Sequence, residues 1–144
     1  MKELKFRAWD KDEKKMHLID MIYFRGSSDE ISKKSGIKGD SRRVGFLTDS
    51  GYQVFYNFEL MQYTGLFDRN GKEIYEGDIV QNKSLSMKGE IKMGFNDTAI
   101  GKHYGWYIHR YMKIGKDKAS SWESPYWEII GNIYENPEFL ETKK

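Results

Sequence analysis

The sequence predicts a mainly β protein whose short antiparallel strands and hairpins close into a small barrel or sandwich, with one short helix near the C-terminal end. Three observations predict it. Ten Tyr, eight Phe and four Trp make 15% of the 144 residues aromatic, and aromatic side chains favour strands and carry large buried areas. Short runs in which apolar and polar residues alternate recur along the chain, which is the period of a strand with one buried face. Turn formers separate those runs at Asp49-Ser50-Gly51, Asp68-Arg69-Asn70-Gly71 and Gly77-Asp78, where glycine supplies the positive φ that closes a hairpin.

Taken in order, Leu4, Phe6 and Ala8 alternate with Lys5 and Arg7, and Trp9 closes a first strand. Asp10 to Lys15 is a charged turn, and Met16 to Phe24 reads as one returning strand. From 25 to 43 the apolar content falls to Ile31 and Ile37 among Ser, Gly, Lys and Asp, the composition of a surface excursion. Ser27 and Glu30 have the spacing of a capping box there. Val44 to Thr48 and Tyr52 to Phe58 flank the Asp49-Ser50-Gly51 turn as a second hairpin. Tyr52, Val54, Tyr56 and Phe58 make one face of its second strand apolar, and the expectation is that this face is core.

Met61 to Val80 organises the centre. Leu66 and Phe67 enter the turn at 68–71, Ile74 and Tyr75 leave it, and Gly77-Asp78 makes a second corner before Ile79 and Val80. Further strands are expected at Ile79 to Lys83, Glu90 to Phe95, Tyr104 to Arg110 and Trp127 to Tyr134, with a basic loop at 111–121. Asn136-Pro137-Glu138 offers an N-cap, a proline at the first helical position and an acid in the first turn, so a short helix is expected through Glu141. The length suits one domain over 1–144, with a line of subdivision parting N-terminal hairpins (1–58) from a barrel-like part (59–144), for which an SH3-like barrel fits.

Composition restricts function more than it assigns it. Net charge is only +2, too little to imply a nucleic-acid partner by itself. The charge is nonetheless segmented, with excess base in 25–43 and 81–121 and excess acid in 44–80. A nucleic-acid alternative would place Lys33, Lys34, Lys38, Arg42, Arg43, Lys113, Lys116 and Lys118 against phosphates, with exposed rings stacking bases. There is no cysteine, so no disulfide, thiolate nucleophile or Cys-ligated metal. The first twenty residues hold no apolar secretory core, and the longest apolar run, Met21 to Phe24, is far short of a membrane span. A soluble cytoplasmic protein with no membrane partner is therefore expected.

Catalytic signatures are absent from the sequence. It has no nucleophile elbow, P-loop or dinucleotide fingerprint. Glu76 and Asp78 could pair as acid and base around Gly77, but a Gly-Asp corner explains Asp78 through a side-chain to backbone bond. His17, His103 and His109 do not stand three or four apart, and a metal site from His103 and His109 on adjacent strand ends with Asp97 is weighed and not adopted. No catalytic residue, metal or cofactor is assigned. The expectation is a non-enzymatic protein-binding or self-assembling β module, a homo-oligomer that uses aromatic surface and free strand edges.

Three stretches carry a family resemblance: Lys5-Phe6-Arg7-Ala8-Trp9-Asp10, the central MQYTGLFDRNGKEIYEGDIV of 61–80, and Ile130-Gly131-Asn132-Ile133-Tyr134-Glu135-Asn136-Pro137-Glu138. In order and placement they resemble the YopX family of phage and prophage proteins. The resemblance implies a small, mostly β protein of phage or prophage origin in the bacterial cytoplasm, with a tendency to self-assemble and with phage or host proteins as candidate partners. It brings no activity and no ligand residue. Thr64, Gly65, Asp68, Gly71, Tyr75, Gly77 and Asp78 match the central motif and are read as fold determinants.

Overall fold

Asp20 is where the N-terminal part of the chain changes sheet. Instead of one strand over Met16 to Phe24, the chain forms β2 (Lys15–Ile19) and β3 (Met21–Tyr23), which belong to different sheets. The Asp20 N–H donates to the Gly45 carbonyl at 3.0 Å, and its Oδ2 accepts the Leu47 N–H at 3.0 Å. Its carboxylate thus occupies a backbone donor where sheet pairing changes, which alternation in the sequence could not reveal. The computed structural model describes residues 3–23, 43–98, 101–110 and 126–141, with backbone alone at 95–98, 101–103 and 110. The capping box at Ser27 and Glu30 lies outside them.

Within the described residues the chain forms eleven strands and no α-helix, so it is mainly β, and each strand pairing whose register is defined is antiparallel. It divides into two compact units, Lys5–Met61 and Gln62–Lys144, the second also holding Met1–Leu4.

In the first unit, β1 (Phe6–Asp10) pairs with β2 so that Ala8 faces His17 and Asp10 faces Lys15. A second sheet orders β3, β4 (Arg43–Thr48) and β5 (Gly51–Phe55), with β5 at an edge. Ala8, Trp9, Val44 and Met61 are buried. The His17 ring stacks on Phe46 at 4.6 Å and 13°, with Phe55 at 5.5 Å, so that β2 packs on the inner face of the β4–β5 hairpin. Beyond β5 the Lys11 N–H donates to the Asn57 carbonyl at 2.9 Å, and Lys11 forms an ion pair with Glu59.

β6 (Phe58–Phe67) runs across the division. In the second unit its end pairs with β7 (Glu73–Tyr75), Tyr63 facing Tyr75 and Phe67 facing Glu73 with a register irregularity between. The main sheet orders β10 (Gly101–Arg110), β9 (Met87–Thr98), β8 (Asp78–Asn82) and β11 (Glu128–Asn132). Its core is Ile74, Val80, Ile91, Ile108 and Trp127, with Leu66, Met87, Trp106 and Ile129 packed against it. Burial of such side chains contributes roughly 1.5–3 kcal/mol each.

The expected terminal helix is one 3-10 turn, Pro137–Leu140. Asn136 does not cap it through its side chain; its Oδ1 accepts the Asn132 N–H at 3.3 Å instead. With the cap group engaged on β11 and the turn only four residues long, no α-helix is nucleated.

Candidate functional site

The apolar face of β5 points outward, against the expectation that it is core. Residues opposite one another in an antiparallel pair share a face. Val44 pairs with Phe55 and Phe46 with Gln53, so Val44, Phe46 and Phe55 lie together on the inner face beside His17. Leu47 pairs with Tyr52 and Gly45 with Val54, which assigns these to the other face. Leu47 is 61% exposed, Tyr52 57% and Val54 42%. Tyr56, just past the strand, is also exposed. Alternation marks two faces but not which one is covered; here the aromatic pair Phe46 and Phe55, already packed against His17, takes the inside.

The same strand is an edge. Its only strand neighbour among the described residues is β4. Edge strands usually carry charge, proline or a bulge that blocks further pairing. Ser50 to Phe58 contains no Asp, Glu, Lys, Arg or Pro and is the longest run without charge in a chain that is 32% charged. The β4–β5 register shows no irregularity. A neutral, regular edge that carries Tyr52 and Val54 can accept a further strand without opposing charge.

Of the basic residues considered for nucleic acid, Arg43 alone lies within the described residues. Lys33, Lys34, Lys38, Arg42, Lys113, Lys116 and Lys118 lie outside the described residues. Arg43 is half-buried and its guanidinium sits 4.0 Å over the centre of the Tyr23 ring, a cation–π contact between register partners.

The central motif is occupied by backbone chemistry. Asp78 is buried and its Oδ2 accepts the Tyr75 N–H at 2.8 Å. Asp68 Oδ1 accepts the N–H groups of Asn70 at 2.8 Å and Lys72 at 2.9 Å, closing the 68–72 turn. Buried Thr64 donates to the Ile74 carbonyl at 2.8 Å and accepts from the Leu66 N–H at 3.2 Å, inside the β6–β7 irregularity. Gly71 and Gly77 take φ of 78° and 79°, and Gly77 donates to Ile91 and accepts from Ile133. The Glu76 carboxyl is pushed above its ordinary range, by burial first and by the charge of Glu90, against a hydrogen bond from the Gln62 backbone.

His103 and His109 are not on adjacent strand ends. Both lie on β10, six residues and therefore about 20 Å apart along the strand. The register opposes Lys102 to Asp97 and His103 to Asn96, so Asp97 and His103 are not register partners. A different group converges: ligand atoms of Asp10, Glu13 and His17 lie within 4.8 Å of one another. Sequence inspection missed it, although the hairpin register of β1 and β2, once known, places Asp10 and His17 on one face.

A family model described as YopX protein matches residues 5–141. Among solved structures, the chain is similar to the crystal structure of protein EF1440 from Enterococcus faecalis, with a TM-score of 0.51 and 22% identity over 98% of this chain and 100% of that one. At that identity the likeness speaks to the fold. No curated protein matches the chain. No helix among the described residues is long and apolar enough to cross a membrane.

Proposed function

We propose, from the premise that the chain belongs to the YopX family, that this member is a non-enzymatic, self-associating β module which pairs with a second copy along β5 and works in the cytoplasm of a phage-bearing bacterium. The observation that carries this is the unprotected edge. β5 is regular, uncharged and open on one side among the described residues, and it presents exposed Tyr52 and Val54, with exposed Leu47 beside them on β4. Antiparallel pairing of two copies of one strand is isologous, so the same residues meet their own counterparts and neutrality on one side is matched on the other. Backbone hydrogen bonds then supply attraction along the edge, while aromatic and β-branched neighbours supply packed area. A nucleic-acid platform would instead need positive charge beside the exposed rings, and Ser50 to Phe58 has none.

Sedimentation velocity of the full chain over a range of concentrations tests this. A dimer or higher species is expected, with Val54→Lys and Tyr52→Lys shifting it to a monomer that keeps the wild-type far-UV circular dichroism, since both side chains are exposed within the single chain. A chain that is monomeric throughout, or lysine variants that associate as the wild type does, would overturn it.

A further inference from the structure

The hairpin joining β1 to β2 carries a convergence that self-association does not use. Asp10 ends β1, Glu13 sits in the turn and His17 lies on β2. Asp10 is only 5% exposed. Its Oδ1 accepts the N–H groups of Asp12 at 2.8 Å and Glu13 at 3.1 Å, which fixes the turn and holds Glu13 on the side of Asp10. That use leaves Oδ2, for which no partner is found among the described residues. The imidazole plane of His17 is set by packing, stacked on Phe46 and tilted against Phe55, while its ring nitrogens receive no hydrogen bond from the described residues.

The spacing is informative. One ligand atom from each residue lies within 4.8 Å of the other two, yet His17 makes no ion pair with either carboxylate. The groups face one another without making a direct bond. Two ligands on opposite sides of an ion with bonds of about 2.0–2.3 Å stand about 4–4.6 Å apart. A cation at the centre of this group would satisfy the imidazole and the open carboxylate oxygens at once, with water completing its coordination.

We propose that Asp10, Glu13 and His17 bind one divalent first-row transition-metal ion. The imidazole favours such ions over magnesium or calcium, and the two carboxylates provide charge balance. Exposed Glu13 is the accessible ligand, buried Asp10 and packed His17 the pre-positioned ones. Lys15, opposite Asp10, and its 3.9 Å contact with Glu13 are the competing positive charge that the ion must displace. Bound metal would clamp the two strands at their turn.

Zinc itself is the probe. Chelator-treated full-length protein is titrated with zinc by calorimetry, alongside Glu13→Gln, His17→Gln and His109→Gln. One zinc per chain is expected, with a rise in melting temperature, and with affinity weakened about tenfold or more in the first two variants and unchanged in the third. Glu13→Gln decides the matter even if His17→Gln fails to fold, because the Glu13 side chain is exposed and packs against nothing in the core. Absence of zinc uptake by the wild type, or uptake undiminished in Glu13→Gln, would overturn the proposal.

Discussion

Oδ2 of Asp68 accepts the backbone N–H of Ile129 at 3.1 Å, joining the 68–72 turn to β11 across 61 residues of sequence. Next to it the Arg69 N–H donates to the Trp127 carbonyl at 2.9 Å. The carboxylate therefore closes its own turn with one oxygen and secures a distant strand with the other, beside the register shift between Ile129 and Gly131.

Replacing Asp68 with alanine leaves the N–H groups of Asn70, Lys72 and Ile129 without their acceptor. Hydrogen bonds to a charged acceptor are worth more than neutral ones, so a loss of roughly 3 kcal/mol is expected by urea unfolding. Burial works against the Asp68 charge, but the three N–H groups and the Lys72 charge outweigh it and hold the carboxyl below its ordinary range. For a lowered carboxyl the stabilisation is present above the unfolded value and disappears as pH falls through the folded one. Asp68→Asn should accordingly flatten that acid limb; an acid limb identical to wild type would count against this.

Gly71 and Gly77 both occupy positive φ, where a β-branched side chain is strained. Gly71→Val and Gly77→Val should each lower stability by about 1 kcal/mol or more. Gly77→Val should show the larger effect, because the Gly77 N–H and carbonyl also bond Ile91 and Ile133. Equal melting temperatures for wild type and either variant would contradict the strain argument.

Thr64→Val preserves shape and removes the hydroxyl that donates to Ile74 and accepts from Leu66 within the β6–β7 irregularity. The Leu66 N–H then lacks that acceptor, and a cost of about 1–2 kcal/mol follows. Thr64→Ser, which keeps the hydroxyl, should recover most of it. If serine and valine destabilise alike, methyl packing rather than hydrogen bonding governs the site.

Local features of the fold were legible because their causes are local. Asp68 to Gly71 is a turn since Asp68 bonds the N–H groups of the next few residues, and Asp78 likewise bonds Tyr75 three residues back. What depended on distant partners was not. Nothing in Met16 to Phe24 shows that Asp20 meets Gly45 and Leu47, so one strand was expected where two form. Alternation in Tyr52 to Phe58 was plain, but which face is covered depends on His17 and Phe46. The Asp10, Glu13 and His17 group needed the β1–β2 register as well as the residue types.

Glu76 supplies a pH dependence of opposite sign to Asp68. Burial of its carboxyl, first, and the charge of Glu90 raise its pKa, and the Gln62 backbone hydrogen bond only partly offsets them. For a raised carboxyl the favourable share of stability is present below the unfolded value and disappears as pH rises through the folded one. Above the folded value the group is charged in a setting that disfavours charge, whereas near pH 4 and below the acid form dominates and the penalty is absent. Glu76→Gln keeps the shape and removes the charge, so it should melt higher than wild type at about pH 7, with the gap closing toward about pH 4. Melting curves of both proteins across that range decide it. A gap that stays constant with pH would mean that the glutamine acts through packing, and a variant less stable at neutral pH would mean that the charged carboxylate is a net attraction where it stands.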